Sequence, residues 1–188
     1  RRQNNPNRRG LSRTGNPETA RRNLMKQLLL LRHAKSSWQD PALDDHQRPL
    51  NKRGQCDAPR MGNLIVSQQL VPDLIVSSSA LRARQTAAAV ALCCGDPDLV
   101  QETDRLYLAP PSDYLSLLAD LDDAHQRVLL VGHNPGISQL VEQLCGQASG
   151  MPTAALAALT VDIDCWTLLD STDSIQLNGY WIPRELDD

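Results

Sequence analysis

Four consecutive leucines, Leu28 to Leu31, run directly into Arg32 and His33. The run is too short for a membrane span or a helix. Its lack of alternation predicts a strand buried on both faces, as in a parallel sheet. Two further apolar runs, Leu74-Ile75-Val76 and Arg127 to Val131, have the same character. Helix-length segments separate them, and this repeating pattern predicts an α/β fold with a mostly parallel sheet. Ligands bind past the carboxyl ends of the strands in open sheets of this kind. The polar residues fall at those ends: Arg32-His33 after the first run, Ser79 with Arg82 one turn on after the second, Gly132-His133 after the third. If the strands are parallel neighbours, these groups converge at one edge of the sheet.

The intervening segments carry their own punctuation. Gln39 to Leu50 is rich in Asp, Pro and His and reads as a loop. Asn51 is placed to cap a helix running to about Gln69, with a bend expected at Pro59 and Gly62. Serines 77 to 79 are expected to cap a second helix that stops at Gly95-Asp96-Pro97. A strand is predicted over Leu99–Thr103 and a helix over Tyr114–Leu121. Asn134 as N-cap and Pro135 as first helical residue predict a last helix ending near Cys145-Gly146. The remainder reads as a meander of strands over 154–161, 165–169 and 175–181.

Charge is unevenly placed. Residues 1–26 hold eight of the 19 basic residues and one of the 22 acidic ones. The body is therefore acidic, unlike a nucleic-acid backbone binder. Phenylalanine is absent and aromatics make up 3% of the chain, so the core must be aliphatic and single-strand stacking platforms are not expected. Residues 1–25 are expected to form a disordered basic leader, and 26–188 a single domain. A passive leader is preferred over a nucleic-acid or membrane-touching arm and over an Arg-rich transit peptide. The five cysteines lack a C-x-x-C pattern, which points to reduced thiols and a cytoplasmic setting. No His or Cys pair has metal-ligand spacing, and no stretch reaches membrane-span length.

Two histidines and several arginines in one pocket suit a tetrahedral dianion. Arginine offers a rigid fork of donors to phosphate oxygens, and neutral imidazole can attack phosphorus and carry it covalently. These residues stand in a signature spread along the chain. Leu31-Arg32-His33-Ala34-Lys35-Ser36-Ser37-Trp38, Asp45-x-x-Arg48-Pro49-Leu50-x-x-x-Gly54 and Ser79 to Ala87 resemble successive blocks of the histidine phosphatase superfamily. So do Leu106-Tyr107-Leu108-Ala109, Val131 to Gly136, Met151 to Ala155 and Pro183 to Leu186. Within that superfamily the match is to the SixA-type phosphohistidine phosphatases, over residues 26 to 186.

The resemblance implies a phosphoglycerate-mutase-like fold, three layers α/β/α around a mostly parallel sheet. It implies His33 as nucleophile, Arg32 and Arg82 as holders of the phosphoryl oxygens, His133 as the second pocket histidine and Arg48 as a further phosphate-contacting arginine. No metal or cofactor is implied. Larger members carry a glutamate acid near the position of Leu106; here the stretch is Arg105-Leu106-Tyr107-Leu108. Without it an alkoxide leaving group is poorly served, which favours phosphohistidine over sugar phosphates. Asp45 is the stand-in acid to test first. The expected partner is a phosphohistidine-bearing protein, such as a histidine-containing phosphotransfer domain. The alternatives are a small phosphorylated metabolite as substrate, or a non-catalytic phosphate-binding regulatory module.

Overall fold

The computed structural model describes residues 25–146 and 150–186; the expected leader lies outside the described residues. Six strands form one sheet in the order β3-β2-β4-β1-β5-β6. They span Met25–Arg32 (β1), Leu74–Ser78 (β2), Val100–Thr103 (β3), Arg127–Gly132 (β4), Leu156–Asp162 (β5) and Ile175–Trp181 (β6). The four-strand block β3-β2-β4-β1 is parallel, and β5 and β6 extend it antiparallel. The mostly parallel sheet expected from the sequence is therefore present.

The leucine run shows why β1 lies at the centre. Leu28 and Leu30 face one core cluster, with Tyr114, Leu117, Ile137 and Leu140. Leu29 and Leu31 face the other, with Met61, Ile65, Ala83 and Val90. All four leucines are 0% exposed, as a strand with apolar residues at both parities requires. Helices cover both faces. Lys52–Ser67 (α1) and Leu81–Cys94 (α2) lie on one, Pro111–Ala119 (α3) and Gly136–Cys145 (α4) on the other. This gives three layers, α/β/α. Among the described residues no helix is long and apolar enough to cross a membrane.

Neighbours β1 and β4 send their following helices, α1 and α4, to opposite faces. That divergence opens a crevice at the carboxyl ends of the two strands, the usual ligand position in such sheets. Register places Arg32 opposite Gly132, so His33 and His133 emerge side by side.

Several local expectations are met and some are corrected. Asn51 caps α1 by accepting from the Gly54 N–H at 2.9 Å. The helix runs through Pro59 without interruption. At the start of α2 the serine caps are replaced by Ala80, although Ser78 Oγ accepts from the Ala80 N–H at 3.3 Å. Pro135, not Asn134, flanks α4, and the Asn134 side chain instead accepts from Ser138 Oγ at 2.6 Å. The strand expected over 165–169 is a 3-10 helix, Trp166–Ser171. Trp166 is 1% exposed, and its indole N–H donates to the His125 carbonyl at 3.0 Å, which holds this segment against the core rather than in the sheet.

Candidate active site

His33 follows directly on β1. Its backbone N–H donates to the Gly132 carbonyl at 3.0 Å, fixing it to β4. Its Nδ1 donates to the Ala34 carbonyl at 2.7 Å, since a carbonyl can only accept. The lone pair is thereby left on Nε2, which faces the pocket and receives the Arg82 Nε–H at 3.3 Å. Burial lowers the basicity of this imidazole. The carbonyl bond opposes that, and the charges of Arg82, Arg32 and Arg48 lower it further, to a pKa of about 4. A pKa that low leaves His33 neutral at pH 7.

His133 stands beside it, ring centroids 4.9 Å apart. Its Nε2 pairs with Ser78 Oγ at 2.8 Å and its Nδ1 with Arg82 Nη2 at 3.4 Å. Burial first, then His33 and Arg82, push its pKa down to about 3. Tyr114 supports this corner from α3: its hydroxyl accepts from the His133 backbone N–H at 3.2 Å. Gly132 makes that approach possible, because a Cβ there would collide with the Tyr114 hydroxyl.

Three arginines complete the pocket. Arg32 Nη1 donates to the Met151 carbonyl at 2.7 Å, while its buried Nε has no hydrogen-bond partner among the described residues. A buried guanidinium N–H without a partner is costly. Arg82 leaves the first turn of α2 and points between the two histidines. Arg48 is held by the Ser37 carbonyl at 3.0 Å and Ser36 Oγ at 2.5 Å, and its guanidinium lies 3.2 Å from the Trp38 ring centroid. The cavity these residues line measures about 290 Å³, and Trp38, Asp45 and Leu108 also border it. A larger cavity of about 940 Å³ lies at the opposite end of the sheet, around Met25, Gln27, Asp73 and Arg127. It contains no histidine or cysteine.

All six residues singled out in the sequence thus line one cavity: Arg32, His33, Asp45, Arg48, Arg82 and His133. Asp45, the acid to test first, is held here as an acceptor. Partial burial raises its pKa, but hydrogen bonds from Tyr107, Arg82 and Arg48 outweigh this and hold it at about 2. A carboxylate ionised in this way has no proton to give at pH 7. Three neighbours were not singled out from sequence. Tyr107 donates its hydroxyl to Asp45 Oδ2 at 2.9 Å and packs edge-on to His133. Ser78 orients His133. His46 pairs with Ser79 Oγ at 2.9 Å and packs against Tyr107. Among the described residues no group of three or more His, Cys, Asp or Glu is placed to hold a metal ion.

A buried imidazole facing several guanidinium groups at a strand end suits a phosphoryl group. Residues 28–107 match the histidine phosphatase superfamily (branch 1). The chain belongs to this superfamily: it is 32% identical over 146 residues to the phosphohistidine phosphatase SixA of Escherichia coli K12, spanning 72% of this chain and 86% of that one. Its fold superposes on the crystal structure of a candidate phosphohistidine phosphatase SixA from Agrobacterium tumefaciens with a TM-score of 0.72. That pair shares 33% identity, over 84% of this chain and 98% of the other. A protein histidine phosphatase SixA complexed with tungstate aligns at TM-score 0.71 and 25% identity, over 86% and 99% of the two chains.

Proposed function

We propose that the chain is a phosphohistidine phosphatase that works through a phosphohistidine intermediate on His33. The observation that carries this reading is the pinned imidazole. Its Nδ1–H is committed to the Ala34 carbonyl, and its Nε2 lone pair opens toward the guanidinium of Arg82. His33 Nε2 attacks phosphorus in line. The N–P bond of the substrate breaks, and its imidazole leaves with the bonding electron pair, neutral because its far nitrogen is already protonated. Arg32, Arg48, Arg82 and His133 hold the transferring oxygens. Water then attacks the phosphorus on His33: the P–Nε2 bond breaks with its electron pair returning to Nε2, which restores the neutral Nδ1–H imidazole, and the water's protons leave with inorganic phosphate. Catalysis is positioning and charge stabilisation.

Substrate class follows from what the pocket lacks as a donor. Asp45 is the one carboxyl group among the described residues bordering the cavity; it is ionised where it stands, and away from the arginines an ordinary aspartate is ionised at pH 7 as well. An alkoxide leaving group would therefore depart without an acid, whereas the imidazole of phosphohistidine needs none at the reacting nitrogen. The rim favours a protein substrate. Trp38 is 73% exposed and Leu108 53% exposed, two apolar side chains bordering a cavity that is otherwise polar. The partner this rim favours is a cytoplasmic phosphotransfer domain carrying phosphohistidine.

The test is a phosphatase panel: a phosphohistidine protein, a sugar phosphate, a nucleoside monophosphate and a generic aryl phosphate. The expected order places phosphohistidine first and the sugar phosphate last by kcat/KM. Turnover of the sugar phosphate as efficient as that of phosphohistidine overturns the substrate assignment.

A further inference from the structure

Asp45 is drawn into the pocket more tightly than a loop residue needs to be. It begins a single turn of 3-10 helix, Asp45–Gln47, after the loop that follows β1. Its Oδ1 accepts from Arg48 Nη1 at 2.6 Å, and its Oδ2 accepts from Arg82 Nη2 at 2.8 Å and from the Tyr107 hydroxyl at 2.9 Å. Its carbonyl also accepts from Arg82 Nη1 at 2.5 Å. One carboxylate thus bridges two guanidinium groups, with an oxygen on each, as two oxygens of a phosphoryl group would.

The partners differ in freedom. The Arg48 and Arg82 side chains are 8% and 4% exposed, whereas that of Asp45 is 42% exposed. Arg48 is braced by Ser36, Ser37 and the Trp38 ring, and Arg82 by its position on α2. The cations are built in, and the anion borders solvent and can turn outward about its own χ1.

We propose that Asp45 is a resident competitor for the oxyanion site: its carboxylate holds the terminal N–H groups of Arg48 and Arg82 that a phosphoryl group takes, and turns toward solvent when a dianionic phosphoryl group arrives. The inference rests on the pocket being a phosphoryl site, as proposed above. Its consequence is selection by charge. A carboxylate is a monoanion, so the incoming group must bring greater charge to the same two arginines. Terminal phosphoryl dianions meet that condition, and singly charged phosphodiesters and carboxylates do not. The same competition weakens the hold on product phosphate and clears the pocket after turnover. Tyr107 sets how firmly the carboxylate is retained.

The sign of one effect separates this role from the structural alternative. If Asp45 merely positions the arginines, removing its charge weakens anion binding; if it competes, removing its charge strengthens it. Calorimetric titration of the full chain at pH 7.5 with inorganic phosphate, and separately with tungstate, reads that sign. Asp45→Asn and Asp45→Ala are expected to lower Kd at least tenfold, and Tyr107→Phe to lower it by a smaller factor. Using both Asp45 variants guards against the amide reproducing the carboxylate's contacts, and circular dichroism confirms folding of each. Binding by wild type with an unchanged or raised Kd in both Asp45 variants overturns the competitor role and leaves the phosphoryl site standing. Absence of binding in wild type and variants alike overturns the phosphoryl site, and this inference with it. Binding that emerges only in the Asp45 variants supports both.

Discussion

Acid should affect this pocket differently from one built on ordinary histidines. His33 is held at a pKa of about 4, and His133 at about 3, in each case through burial first and neighbouring positive charge second. An unperturbed imidazole of pKa about 6.5 is only about a tenth neutral at pH 5.5. At a pKa of about 4, His33 is almost wholly neutral there and still able to attack. The same shift makes the fold sensitive to acid. In the unfolded chain both imidazoles take up protons as pH falls through about 6.5, and in the folded chain they do not until about pH 4. Stability is therefore fully present above about pH 6.5 and falls as pH drops toward 4. For His33 the loss by pH 5 is on the order of 2 kcal/mol. Carbon-13 labelling of histidine Cε1 with an NMR titration from pH 8 to 4.5 reads the two sites directly, and urea melts at pH 8 and 5 read the stability. Neither resonance should move through a midpoint above pH 5. A His33 midpoint near 6.5 would refute the electrostatic reading of the pocket.

Other expectations are narrower. Gly132→Ala forces a methyl group against the buried Tyr114 hydroxyl, and overpacking of this kind costs about 1–3 kcal/mol. Thermal melts should show the loss, and adding Tyr114→Phe should recover part of it; no coupling between the two would contradict the contact. Trp38→Ala should raise KM for a phosphohistidine protein several-fold more than for an aryl phosphate, because Trp38 stands at the exposed rim. Equal changes for both substrates would remove Trp38 from protein recognition.

Much of the site was legible because sheet topology concentrates it. Arg32-His33 and Gly132-His133 each end an apolar run, and two parallel strands in register must bring such ends together. The resemblance to histidine phosphatases then named the roles. Tyr107 was given no role because its partner, Asp45, lies 62 residues away and only the folded chain joins them. Ser78 could not be chosen from Ser77, Ser78 and Ser79 without the pleat of β2, which turns Ser78 toward His133. Residues 165–169 resembled a strand because apolar side chains recur there; Trp166 anchors them to the Asp123–His125 turn, and Lys26 lies 5.1 Å from its ring. Asp45 was found by position, but its two arginine partners depend on how the loop folds back over the pocket and could not be read from the sequence.

The most direct measurement is rapid-quench trapping of the phosphoryl group during turnover of a phosphohistidine protein. The quenched chain is digested under alkaline conditions and sequenced by mass spectrometry. The expected result is a base-stable, acid-labile phosphoryl group on His33, formed before phosphate is released and absent from His33→Ala. Turnover by His33→Ala at the wild-type rate, or a phosphoryl group found on another residue, would contradict the assignment of His33 as nucleophile.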